Sequence, residues 1–152
     1  MIRNYTSSIS AEKSVARIEA MLVAAGVKQV LKIYSQSEDH SLEGIVFEYK
    51  LANTDRFVSI KLPARVEQIE NLLKAKIKRH TDSALANIKE QAQRTAWKLL
   101  AEWVEINIAL VELQQIDLLE VFLPYVYNNF SKQTYYETLS KNAFKQLMLT
   151  NG

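Results

Sequence analysis

The residues of this chain best suited to chemistry are cations and aromatic rings at regular spacing. Lys74, Lys76, Lys78 and Arg79 crowd one short stretch, and Arg65, Lys89, Arg94 and Lys98 flank it. Clustered lysine and arginine follow a polynucleotide backbone, because each phosphate they neutralise releases condensed counterions. Cations also gather at helix C-termini, where the macrodipole favours each by about 0.3–1 kcal/mol, so a structural role stands beside the phosphate one. Upstream, Tyr34 and Phe57 alternate with Lys32, Lys50 and Lys61 in segments that read as strands. Rings flanked by cations on a sheet suit the stacking of unpaired bases. The candidate nucleic-acid-binding set is therefore Lys32, Tyr34, Lys50, Phe57, Lys61, Lys74, Lys78 and Arg79. The same rings can instead lie under a C-terminal helix, since strand aromatics usually pack.

Other chemistry is poorly served. His40 falls in an expected hairpin loop and His80 in an expected break between helices, so no histidine pair stands at metal-ligand spacing. Cysteine is absent, which excludes disulfides, thiolate nucleophiles and cysteine-ligated metals. With only Gly26, Gly44 and Gly152, the chain cannot build a glycine-rich phosphate loop. No serine sits in a nucleophile elbow. Glu102, Glu105 and Glu112 share one helical ridge that can bind a hard cation, but carboxylates are normally exposed and a solvated ridge is the ordinary reading. The expectation is a binding protein, not an enzyme, with no metal and no cofactor.

Those candidates need a scaffold, and the composition provides for one. Hydrophobic residues make up 48% and charged residues 24% of 152 positions, values of one ordered globular domain over 1–152. Net charge is only +2, which is no duplex-binder's footprint. Its distribution says more. Residues 61–98 carry nine basic and four acidic side chains, residues 99–126 none and five, and residues 127–152 three and one. No apolar run reaches the roughly 18 residues that a membrane span needs, and the N-terminus lacks a signal-like apolar core. A cytoplasmic protein with no membrane partner is expected.

The predicted fold class is α+β: an N-terminal helix, a three-stranded antiparallel meander, then a helical half with one long central helix. Val15, Ile18, Leu22 and Ala25 recur at helical spacing, with Ser10 to cap the start and Gly26 to end the helix. Alternating apolar residues predict strands over Val30–Ser35, Leu42–Leu51 and Arg56–Leu62. Leu31, Ile33, Ile45, Phe47, Tyr49, Val58, Ile60 and Leu62 are expected to face the helices. Lys32, Tyr34, Lys50, Phe57 and Lys61 fall on the other face. Pro63 closes the third strand, and the helical part runs from 64 to 152. A helix is expected to about Arg79, with a break at His80–Ser83. About thirty residues of one helix follow, with Leu85, Ile88, Ala92, Ala96, Leu99, Trp103, Ile106, Leu110 and Leu113 on one stripe. From Trp97 onward a second side is apolar too, marking the hub of the fold or an oligomer contact. Asp117 with Glu120, and Thr134 with Glu137, predict two capped helices.

Arg3-Asn4-Tyr5-Thr6 leading into Ala11-Glu12-Lys13-Ser14-Val15, with Arg94-Thr95-Ala96-Trp97-Lys98 through Glu112 to Glu120–Tyr125, resembles small uncharacterised proteins encoded by bacteriophages and prophages. The resemblance implies a phage or mobile-element origin and an intracellular setting. The function expected on these grounds is non-enzymatic contact with nucleic acid, single strands more than duplex. The alternative is a protein-binding module, such as an inhibitor of a host factor or an oligomeric assembly component. It would use the acidic ridge and the aromatics Phe122, Tyr125, Tyr127, Phe130, Tyr135, Tyr136 and Phe144.

Overall fold

The structure, a computed structural model, describes residues 7–148. Arg3–Thr6 of the phage-like opening lie outside the described residues. Helix α1 (Ala11–Ala24) begins where the Ser10 hydroxyl accepts the Lys13 amide. It ends at Gly26, whose φ of 99° is a left-handed position that a side chain would strain. Strands β1 (Val30–Tyr34), β2 (Leu42–Lys50) and β3 (Phe57–Pro63) form the expected antiparallel meander. Helices α2 (Val66–Lys74), α3 (Asp82–Glu112) and α4 (Leu118–Phe122) follow. A 3₁₀ turn (Leu123–Tyr125) then leads to β4 (Val126–Asn128), β5 (Gln133–Thr134) and α5 (Tyr135–Lys141). Strands β4 and β5 extend the sheet to five strands in the order β1-β2-β3-β4-β5.

Register fixes the faces, because directly paired residues of antiparallel strands point the same way. Ile45 pairs with Leu62 and Phe47 with Ile60, all buried, so this is the inner face. Val30 pairs with Phe47 and Lys32 with Ile45. That reverses the expectation for β1: Leu31, 53% exposed, points outward with Ile33, while Lys32 and Tyr34 take the helix side at the edge of the sheet. A register shift between Ile33 and Tyr34 accompanies the change. Gly44 lies beneath β3, where a Cβ would sit 2.9 Å from the Leu62 carbonyl oxygen.

Helices cover the inner face. Val15, Ile18 and Leu22 of α1 join Ile45, Phe47, Ile60 and Leu62 and the α3 residues Trp97, Ala101, Val104 and Ile108 in one buried cluster. Phe122 closes it, edge-on to Phe47 at 5.3 Å and to Trp103 at 5.7 Å. Helix α2 is shorter than predicted. It runs antiparallel to α3, with Gln68 and Ile69 beside Leu99 and Trp103, and Leu73 beside Ile88 and Gln91. Beginning at Val66, it reaches α3 only as far as Trp103. The last turns of α3 extend past it.

Phe122→Ala removes the ring that bridges sheet and helix, and is expected to lower stability by about 3–5 kcal/mol in urea unfolding. A loss below about 1 kcal/mol would show that the cluster closes without it.

Candidate interaction surfaces

The eight predicted nucleic-acid contacts separate into three places. Lys32 and Tyr34 line a cleft of about 740 Å³ with Ser10, His40, Lys89 and Arg94. Lys32 Nζ lies 3.3 Å from Glu19 of α1. Phe57 is paired with Lys50 on the outer sheet face, and Lys61, paired with Val46, shares that face. Lys74, Lys78 and Arg79 belong to the corner after α2. The sheet grouping of Tyr34 with Phe57 is thus broken, for β1 carries Tyr34 on the inner face and β3 carries Phe57 on the outer one.

Several of these cations are already engaged. Lys50 Nζ is 3.4 Å from Asp55, and Lys74 Nζ is 2.8 Å from Glu70 one helical turn earlier. Lys78 and Arg79 are exposed and take part in no ion pair among the described residues. Lys61 Nζ stands 5.1 Å from the centroid of the Tyr127 ring, within cation–π range. Tyr127 is brought to Ser59 by the β3–β4 pairing. Sequence reasoning placed Tyr127 among C-terminal aromatics, because a three-residue strand has too short a pattern to read.

A second surface lies on α3. Each residue of the buried seam is followed two positions later by another apolar residue: Trp97 by Leu99, Ala101 by Trp103, Val104 by Ile106, Ile108 by Leu110. Two positions turn a helix by about 200°, so Ile106 and Leu110 face away from the sheet, while Leu99 lies beside α2 and Trp103 packs edge-on to Phe122 and Tyr125. Leu99 is 41%, Ile106 59%, Leu110 37% and Leu113 68% exposed. Their 4-3-4-3 spacing through Trp103 is that of a coiled-coil seam. Glu105 and Glu112 of α3 are exposed as well, while Asp117 and Glu120 belong to the capping box of α4. Arg17 of α1 reaches in to pair with Glu105.

The β1–β2 loop is fastened to α3 by Asp39, which pairs with Lys89 and accepts from the Ser37 hydroxyl and the Ser41 amide. The Lys89 hydrogen bond, then those of Ser37 and Ser41, hold the Asp39 carboxyl well below the usual carboxylate range. The same bond pushes Lys89 up. Among the described residues no group of three His, Asp or Glu side chains is placed to hold a metal ion. No helix among them is long and apolar enough to cross a membrane.

No family model, curated protein or solved structure matches the chain. Its own surfaces are therefore the basis for assigning a function.

Because the folded-state carboxyl of Asp39 titrates lower than an unfolded one, its stabilisation is full above the ordinary Asp range and is lost as pH falls through that range and below. A carboxyl-detected NMR titration from about pH 6 to about pH 2 is expected to show Asp39 staying ionised longest, with Lys89→Met moving its midpoint upward. An unmoved midpoint would mean that Lys89 is not its partner in solution.

Proposed function

We propose that this chain is a non-enzymatic binding module, of phage or mobile-element type, that docks a helix of another polypeptide on the outward seam of α3. One observation carries the reading: a long helix whose inward seam is the core also presents Ile106, Leu110 and Leu113 to solvent on another side. Scattered exposed hydrophobics are normal, whereas a contiguous apolar strip marks an interaction site. Heptad spacing favours a helical occupant, since side chains repeating every 3.5 residues keep one line facing a partner helix.

Ile106→Glu alters only an exposed position and is expected to change stability by less than about 0.5 kcal/mol. A benzophenone amino acid at position 106 is expected to crosslink the chain to a polypeptide in the expressing cell, while the same group at Asn53, in the β2–β3 turn, is not. Absence of any product at position 106 would remove this reading.

A second reading is favoured by the Lys61–Tyr127 contact on the open sheet face. Phe57 and Tyr127 lie on one face of adjacent strands, diagonal neighbours about 7–8 Å apart at Cα. Such a pair, with Lys61 of β3 beside the Tyr127 ring, suits stacking of single-stranded bases, each worth about 1–3 kcal/mol. In this hypothesis nucleic acid binds the sheet, so Lys74→Glu with Lys78→Glu leaves stacking intact. Phe57→Ala with Tyr127→Ala is expected to weaken oligonucleotide binding at least tenfold in titrations at two salt concentrations. No binding by the wild-type chain at low salt overturns it.

A further inference from the structure

We infer that a small apolar molecule bearing one carboxylate binds in the cavity between the start of α2 and the middle of α3. This cavity measures about 460 Å³, inside the range of about 300–1,000 Å³ in which ligand pockets fall. Ile69 of α2, Leu99 and Leu100 of α3, Leu62 of β3 and the rings of Trp103 and Tyr125 line it. Ile106, Leu110 and Leu113 do not. The inference therefore stands or falls independently of the helix-docking reading.

The local backbone opens this space. The Ala64 amide donates to the Glu43 carbonyl at 2.9 Å, so the chain stays tied to β2 beyond Pro63 and only then turns into α2. Ala64 and Ala96, both on the cavity wall, are too short to fill what that detour leaves. The aromatic walls are already fixed. Trp103 stands edge-on to Phe122 at 5.7 Å and to Tyr125 at 5.8 Å, and Pro124 stiffens the 3₁₀ turn that carries Tyr125. Walls held in place need little ordering when a ligand arrives, which is how pre-formed sites gain affinity.

One end of the cavity selects the head group. Among the described residues Arg65 is its only charged lining residue, and it is exposed and enters no ion pair. Glu43, Glu67 and Glu70 line the adjoining cleft that Arg65 also borders, none of them paired with it, and Glu70 is taken by Lys74. A guanidinium presents parallel N–H donors that match one carboxylate, whereas a dianionic phosphate would leave a charge uncompensated. Arg65 is also the N-cap of α2 and gives its first turn no side-chain acceptor. The positive end of the helix dipole thus adds to the preference for an anion there. Gln68, exposed and three residues on, lines the same end and offers a further donor.

The test is an amide-detected NMR titration of the full chain with naphthoate and with decanoate, each against its own neutral amide. Saturable shifts at Ile69, Leu99 and the Trp103 indole are expected with at least one of the two carboxylates, and the tighter of them tells an aromatic body from an acyl one. Arg65→Gln is expected to weaken that carboxylate at least about tenfold and its amide less than about twofold, because only the acid uses the charge. Gln68→Phe sets a ring into the opening and is expected to abolish binding of both forms. Circular dichroism is expected to show both variants folded, since both positions are exposed. The inference is overturned if neither carboxylate gives saturable shifts, if the shifts gather elsewhere on the chain, if Arg65→Gln affects acid and amide alike, or if Gln68→Phe binds as the wild type does.

Discussion

Helix α3 laid across the inner face of the sheet is the contact on which the rest of this molecule depends. Helices α1, α2 and α4 all touch it. Its seam of Trp97, Ala101, Val104 and Ile108 lies in the same cluster as Ile45, Phe47, Ile60 and Leu62. Ala101 contributes little bulk, which suits a close approach of helix to sheet, while Trp97 and Phe122 fill the larger gaps. The price is an indole N–H of Trp97 that finds no acceptor among the described residues. Such a donor gives up roughly 1–3 kcal/mol, so the packing of the ring must outweigh it.

Much of this scaffold was legible before any coordinates. Ser10 and Gly26 bound α1 as their chemistry requires. Both capping boxes, Asp117 with Glu120 and Thr134 with Glu137, open α4 and α5. These are local devices whose partners lie three residues away, so sequence contains them whole. The phase of β1 was not legible in that sense. Val30-Leu31-Lys32-Ile33-Tyr34 alternates acceptably in either phase, and only the pairing of Lys32 with Ile45 decides it. For α3 the ambiguity was of the same kind. With apolar residues at both Val104 and Ile106, periodicity finds two seams, and contact with the sheet selects one.

The candidate site was less legible, because charge counted along a chain is not charge felt at a surface. Three of the nine cations of the basic middle are paired locally: Lys74 with Glu70, Lys89 with Asp39, and Arg94 with Glu90 nearby at 4.0 Å. Helix spacing of four residues supplies two of these pairs, and a loop supplies the third. Their field at a distance is correspondingly weak. Of that cluster Lys74, Lys89 and Arg94 make short-range links, while Lys78 and Arg79 stay exposed at the corner after α2.

The acidic stretch has cations at hand too. Lys98 stands four residues before Glu102, at helix-neighbour spacing, and Arg17 comes from α1 to meet Glu105. The apolar residues beside them that the sheet does not need are an exposure that folding ordinarily avoids. Glutamate at 106 or 113 would have served solubility and left the core seam unchanged, since those positions face away from it. Keeping Ile106 and Leu113 there makes physical sense if the strip spends its working life covered.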